Sequence, residues 1–455
     1  MIQRRDFLSV LGGAALAYGQ RRRPPNILFI LADDLGYGEL SCYGNREIPT
    51  PNIDSLAQRG VRFTDGYMSA AVCNPARAGL LTGRYQQRWA QEFNRMGERN
   101  WLPKDETCLG EALKKAGYAT AAIGKWQMGM RDGHHPLDRG FDEFFGMASG
   151  ANYADPKRPD VKSVELGGGG DGLGRLFRGR NPVDESEYLT EAFAREANRF
   201  VSAKRDKPFF LYLAFNAPHV PLQVTTKYYD RFPSIRNETH RIYAGMVSAL
   251  DDAVGSVLAT LEKSGAARET LIVFTSDNGA PDYVEMTDNG GFKGYKRMLY
   301  EGGIRVPFLM RWDGRLQPGA VFREPVSALD LLPTFLAAAG DTAPLPKPLD
   351  GVDLLPWLTG RKRGPVHDVL YWRMGANSAI RQGKWKLFRI GDGSYRLFDL
   401  QADRAEDRNV AADHPEVVAS LRDRLATWNA QMAPPPEPRM RVTTAYGGDR
   451  IEWYY

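Results

Sequence analysis

The stretch Asn26-Ile27-Leu28-Phe29-Ile30-Leu31-Ala32-Asp33-Asp34-Leu35-Gly36 decides the fold class of this chain. Ile27 to Ala32 is an unbroken apolar run of strand length, as expected for a strand covered on both faces. Similar runs recur at Ala119 to Ile123, Phe209 to Phe215 and Leu271 to Phe274. Helical patterns alternate with them at Ile53 to Gln58, Cys108 to Ala116, Tyr188 to Ala203 and Tyr243 to Lys263. Strand-helix alternation of this kind predicts an α/β fold, a mostly parallel sheet flanked by helices. The polar residues with chemical potential stand just after these strands, where open α/β sheets place their ligands.

Four of those residues, Asp33, Asp34, Asp277 and Asn278, are hard oxygen donors past two strand ends. Adjacent carboxylates in a cleft repel, and one protonates unless a cation neutralises the pair. An oxygen-only set suits calcium or magnesium better than zinc. Capping or turn formation would explain one aspartate, but is a poor account of both plus Asp277-Asn278.

A second motif, Cys73-Asn74-Pro75-Ala76-Arg77-Ala78-Gly79-Leu80-Leu81-Thr82-Gly83, has the form C-x-P-[SA]-R-x-x-x-L-T-G. Taken alone, Cys73 would be a buried structural thiol. Further segments follow in order: Gly124-Lys125-Trp126, Ala217-Pro218-His219-Val220-Pro221, Ser276-Asp277-Asn278-Gly279, and Lys296 with Glu301-Gly302-Gly303-Ile304-Arg305. With the Asn26 to Gly38 opening, this ordered set resembles the sulfatase family (type I, formylglycine-dependent; arylsulfatase and N-acetylgalactosamine-6-sulfatase-like). The resemblance runs over most of the chain.

The resemblance implies an alkaline-phosphatase-like α/β fold and hydrolysis of a sulfate ester by S–O cleavage through a sulfo-enzyme intermediate. It implies that a maturation enzyme converts Cys73 to formylglycine (3-oxoalanine), whose hydrated form can expel sulfate by collapsing to the aldehyde, a variant of covalent catalysis. It implies one Ca2+, in preference to Mg2+, bound by Asp33, Asp34, Asp277, Asn278 and an oxygen of modified Cys73. Arg77 would anchor the modified side chain. Lys125 and Lys296 would spread positive charge over the sulfate oxygens, and His219 would protonate the departing alcohol. One departure stands out: the family usually has histidine after G-K-W, where this chain has Gln127. Glutamine can hydrogen-bond but cannot titrate. The substrate implied is a sulfated small molecule or glycan. Two other readings stay open, a phosphoester hydrolase on the same scaffold and a non-catalytic sulfoglycan-binding protein.

Composition agrees with a soluble globular protein. The chain has 455 residues, 43% hydrophobic and 25% charged, and a net charge of +5. That excess is too small to argue for a polyanion partner, and no aromatic-interleaved basic stripe points to nucleic acid. Arg4-Arg5 before the apolar stretch Phe7 to Ala17, with Ala15-Leu16-Ala17, reads as a twin-arginine signal over residues 1–20. The stretch is shorter than the ~20 residues of a membrane span. Export to the periplasm or medium of a bacterium is therefore expected, with no stable membrane span. In that context Asn237-Glu238-Thr239 reads as an unmodified surface triplet. The other cysteines, Cys42 and Cys108, are expected to be independent thiols.

The catalytic domain is expected over residues 24–363. A C-terminal α+β subdomain and tail would follow over 364–455, with strand-like segments at Ser378 to Arg381, Trp385 to Phe388 and Tyr395 to Leu400. A helix is expected from Pro415 to Trp428, and an extended strap at Pro434-Pro435-Pro436. Residues 151 to 185 read as a flexible insertion near the site. Within it, Gly167 to Gly170 lacks the remainder of a phosphate loop, and Arg175, Arg178 and Arg180 face solvent by default.

Overall fold

Alternation along the first strand sorts its side chains into two layers. Leu28, Ile30 and Ala32 enter one hydrophobic cluster with Ile53, Phe193, Met246 and Leu250. Ile27, Phe29 and Leu31 enter the opposite one with Leu80, Leu109 and Phe335. Because strand side chains alternate faces, an all-apolar strand needs cover on both sides. Helices Pro51–Gln58, Leu189–Ser202 and Glu238–Lys263 supply it on one face. Helices Cys73–Thr82, Leu109–Lys115 and Leu331–Ala339 supply it on the other.

The computed structural model describes residues 23–94, 101–164, 174–282, 287–341 and 343–437, and the backbone of strands Arg441–Tyr446 and Asp449–Tyr454. The signal expected over residues 1–20 and Gly167 to Gly170 lie outside the described residues.

The main sheet has ten strands in the order Ala320–Phe322, Val61–Phe63, Phe308–Arg311, Thr270–Ser276, Asn26–Ala32, Phe209–Ala214, Ala119–Lys125, Glu143–Met147, Leu176–Arg178 and Asn181–Val183. The five from Thr270–Ser276 to Glu143–Met147 are parallel. Leu28 lies opposite Leu211 on one side and Ile272 on the other. Parallel alignment brings the carboxyl ends Ala32, Ala214, Ser276 and Lys125 to a single edge. There Asp33 N–H donates to the Ala217 carbonyl and Asp277 N–H to the Ala32 carbonyl, each at 3.1 Å.

A second, four-stranded antiparallel sheet runs Leu370–Met374, Asn377–Gln382, Trp385–Arg389 and Tyr395–Asp399. Helix Pro415–Asn429 covers one face of it through Leu421, Leu425 and Trp428. The other face, with Ala379, Phe388 and Phe398, packs on Tyr67, Tyr300 and Ile304 of the catalytic region.

Several boundaries differ from the sequence reading. The long helix begins at Glu238, five residues before Tyr243, because the Asn237 side chain accepts the His240 N–H as an N-cap. The Asn-x-Thr triplet is thus a helix start. The 151–185 segment is not simply an insertion: Val161–Val164 pairs with Leu222–Thr225, and Leu176–Arg178 and Asn181–Val183 extend the main sheet. Arg178 is held by Glu196 at 2.7 Å and Arg180 by Asp138 at 2.6 Å. The proline run forms no helix or strand, and beyond it the tail forms an antiparallel hairpin that was not expected. Helix Glu238–Lys263 is long and apolar enough to cross a membrane, yet most of it is buried in this protein. All three cysteines are free.

Candidate active site

Cys73 opens a ten-residue helix in which every side chain is buried. Pro75 fits in its first turn, where no intrahelical N–H is needed. Thr82 Oγ1 donates back to the Ala78 carbonyl at 2.8 Å, and Gly83, at φ 64°, ends the helix in the left-handed region. The Leu-Thr-Gly portion of the motif is therefore a helix stop. The first turn delivers Cys73 to the carboxyl edge of the parallel strands.

Opposite it stand Asp33 and Asp34. Ligand atoms of Asp33, Asp34, Cys73 and His219 lie within 4.8 Å of one another. Asp34 takes a left-handed backbone, φ 64°, that lets its N–H donate to Asp277 Oδ1 at 3.2 Å while Leu35 N–H donates to Ser276 Oγ at 2.9 Å. Asn278 Nδ2 donates to Asp34 Oδ1 at 2.7 Å. The two strand ends are thereby stitched into one oxygen cluster.

Three cations enclose it. Lys125 Nζ is 2.6 Å from Asp33 Oδ2, and Lys296 Nζ is 2.7 Å from Asp34 Oδ2. Arg77 places Nε at 2.9 Å and Nη2 at 2.8 Å from Asp277 Oδ2, and its Nη1 donates to the Lys125 carbonyl at 3.0 Å. Gly124, at φ 107°, has no room for a side chain, since a Cβ would lie 1.9 Å from the Ala214 carbonyl oxygen. That contact explains the glycine before Lys125. His219 Nε2 lies 3.5 Å from Asp34 Oδ2, and its Nδ1 meets the Val220 carbonyl at 2.6 Å. At 17% side-chain exposure His219 is the most accessible of these groups, which places it at the mouth.

Charge balance here is uneven. Burial would raise Asp33, but Lys125, His219, Arg77 and Lys296 together hold it below the ordinary carboxylate range. Burial of Asp34 is likewise outweighed, by Lys296 and His219. Asp277 goes the other way: burial and the Asp33 charge push it well up, against the pull of Arg77. Burial lowers His219, opposed by Asp34 and Asp33. Two buried oxygens, Asp33 Oδ1 and Asn278 Oδ1, have no hydrogen-bond partner among the described residues. Buried oxygens without donors beside crowded carboxylates fit a hard divalent cation, which would satisfy both and relieve Asp277.

All nine residues singled out in the sequence, Asp33, Asp34, Cys73, Arg77, Lys125, His219, Asp277, Asn278 and Lys296, thus converge on one edge. Lys293 does not join them; its Nζ donates to the Glu406 carbonyl at 3.2 Å and lies over the Tyr300 ring. Neither His134 nor His135 belongs to the ligand cluster of Asp33, Asp34, Cys73 and His219. His134 Nδ1 meets the Leu102 carbonyl, and His135 caps the Pro136–Asp138 turn. The Asn94 carboxamide also reaches Cys73 Sγ, and the Gln91 side chain bonds that of Asn74. Amide side chains carry no charge or motif signal, so only spatial proximity reveals them.

Comparison with known proteins gives a consistent picture. The model of the family described as Sulfatase matches residues 25–341. A second model, N-sulphoglucosamine sulphohydrolase, C-terminal, matches residues 290–431. The chain is 34% identical to Arylsulfatase A of Homo sapiens, over 94% of this chain and 90% of that protein. It is also 34% identical to N-acetylgalactosamine-6-sulfatase of Homo sapiens, over 86% and 76% respectively. Among solved structures, Ps i-CgsB in complex with k-i-k-neocarrahexaose superposes with a TM-score of 0.84 at 35% identity, covering 91% of this chain and 94% of that one.

Proposed function

The chain belongs to the sulfatase family and is a sulfuric ester hydrolase; from that premise we propose that it removes sulfate from a carbohydrate, using Cys73 as formylglycine and a bound calcium ion. The observation that carries this reading is the placement of Cys73 at a buried helix start, facing Asp33, Asp34 and His219 within 4.8 Å. The carbohydrate assignment is supported by the similarity to the structure bound to a neocarrahexaose and to an N-acetylgalactosamine-6-sulfatase.

Asp33, Asp34, Asp277 and Asn278 would hold calcium, which supplies Lewis-acid polarisation of the sulfate and favours ionisation of the attacking oxygen. Formylglycine at position 73 supplies a nucleophile that regenerates without attack of water on sulfur. Lys125 and Lys296 already stand at the carboxylates and can share their charge with sulfate oxygens as negative charge grows. Arg77, rigid between Asp277 and the Lys125 carbonyl, holds the floor of the site in place. His219, at the mouth, is the group able to pass a proton to the leaving oxygen. We also propose that the protein is exported through its twin-arginine leader and matured before export.

Peptide mass spectrometry across Cys73, on protein from the native host, tests the reading together with sulfate release from a panel of sulfated glycans. Conversion to the aldehyde with release from at least one glycan is expected. An unmodified Cys73 without sulfate release would overturn it and favour a binding protein.

A further inference from the structure

Asn94 approaches the nucleophile side chain from a loop that carries none of the family motifs. Its Nδ2 lies 3.7 Å from Cys73 Sγ, and its Oδ1 accepts the Asn74 backbone N–H at 3.0 Å. The second contact orients the first. The Asn74 N–H belongs to the first turn of the helix, where backbone donors lack intrahelical acceptors. It demands the oxygen of the Asn94 carboxamide, so the amino end must point at residue 73.

Further bonds tie this region together. Trp89 Nε1 donates to Gln91 Oε1 at 2.7 Å, and Gln91 Nε2 donates to Asn74 Oδ1 at 2.6 Å. Asn74 Nδ2 in turn donates to the Gln127 carbonyl at 2.7 Å. Gln127 itself sits at φ 62°. These bonds fix Asn74, whose backbone N–H in turn holds the Asn94 oxygen.

A carboxamide N–H is a poor match for a thiol, because sulfur is a weak acceptor. It is a good match for an oxygen at the same place. We propose that Asn94 is an oxygen-stabilising residue of the active site, donating its Nδ2–H to the hydroxyl or oxyanion that the side chain of residue 73 carries after conversion. This rests on the sulfatase reading above. It also offers a neutral donor to residue 73 in a chain that has Gln127 where the family more often supplies a titrating ring. When water adds across the residue-73 carbonyl, two hydroxyls form on one carbon, and the Asn94 amide favours this hydrated form over the free aldehyde.

Two variants separate this role from a merely structural one. Asn94→Asp keeps an oxygen for the Asn74 N–H but replaces the donor with an acceptor; Asn94→Ala removes both. Each is purified with its formylglycine content measured by mass spectrometry. Loss of kcat on the order of 10²-fold is expected in both, as for removal of one donor from an oxyanion site, with KM within about threefold. Asn94→Asp should keep a thermal midpoint near that of the parent. A hydroxylamine probe, which condenses with the free aldehyde and releases water, should label both variants faster than the parent. An Asn94→Asp variant with parental kcat and labelling rate overturns the proposal and leaves the sulfatase reading intact. A parent protein with unmodified Cys73 overturns both.

Discussion

Where the C-terminal sheet meets the catalytic region, Asp65, Glu301 and Glu406 face Arg305, Arg381 and Lys386; at the strand ends, Asp33, Asp34 and Asp277 face Arg77, Lys125 and Lys296. Both clusters set three carboxylates against three cations away from solvent. They differ in how the oxygens are used. At the interface Glu301 Oε1 takes Lys386 at 2.9 Å, while Oε2 takes Tyr67 OH at 2.5 Å and Arg305 at 3.1 Å. Glu406 Oε2 accepts the Glu301 N–H at 2.6 Å and Oε1 faces Lys386 at 2.9 Å. Asp65 divides its two oxygens between Arg381 at 2.7 Å and Arg305 at 3.0 Å. At the strand ends, Asp33 Oδ1 and Asn278 Oδ1 remain without donors. At the interface the oxygen without a hydrogen bond, Glu406 Oε1, still has the Lys386 ammonium 2.9 Å away, whereas the neutral Asn278 Oδ1 at the strand ends has neither a hydrogen bond nor a charge of its own to attract one, which is the arrangement a cation would complete.

The largest effect that can break this comparison comes from the metal. Treatment with a calcium chelator should reduce sulfate release by about 10²-fold or more, and calcium should restore it. The holoenzyme should also melt higher, since a ligand at 100 times its Kd adds about 2.7 kcal/mol. Activity and midpoint both indifferent to chelation would remove the metal from the strand-end cluster. Next in size, Lys386→Met strands Glu301 and Glu406 and should cost about 3 kcal/mol in denaturant unfolding, with kcat of the folded protein within about threefold of the parent. A kcat loss matching that of chelation would make the interface part of the catalytic machinery.

A pH experiment sharpens the contrast at a buried acid outside both clusters. Burial pushes Glu39 up to about 8 from 4.5, although it accepts the Asp288 N–H at 2.6 Å. Its folded-state value is raised, so its contribution to stability is present below about pH 4.5 and is lost as pH rises through about 8. Unfolding free energy of the parent should therefore decline across that window more steeply than that of Glu39→Gln. Parallel curves would show that Glu39 is not the titrating group. The smallest effect belongs to Arg178→Ala. Its ion pair with Glu196 is half exposed on the arginine side, so a loss of at most about 1 kcal/mol and unchanged sulfate release are expected. A drop in affinity for sulfated glycan would instead place Arg178 at the substrate.

Much of the fold was legible because buried parallel strands must be apolar throughout, as Ile27 to Ala32 and Phe209 to Ala214 are. The weaker elements were not. The strand Leu370–Met374 carries Arg373, whose guanidinium is neutralised by Glu92 at 2.7 Å, a partner 281 residues away. Leu176–Arg178 and the edge strand Asn181–Val183 are short, with exposed residues and little apolar signal.

For the site, the chain alone marked a hard-oxygen set, a cysteine motif and three cations as residue types at fixed spacing, but not the Asn94 amide. Tertiary structure decided what each one faces. Asp34 and Asp277, 243 residues apart in sequence, are neighbours because their strands lie parallel and end together. Asn94 faces Cys73 only because a helix N–H claims its oxygen. Directional hydrogen bonds and shared burial are properties of positions in space, and a linear sequence does not encode them residue by residue.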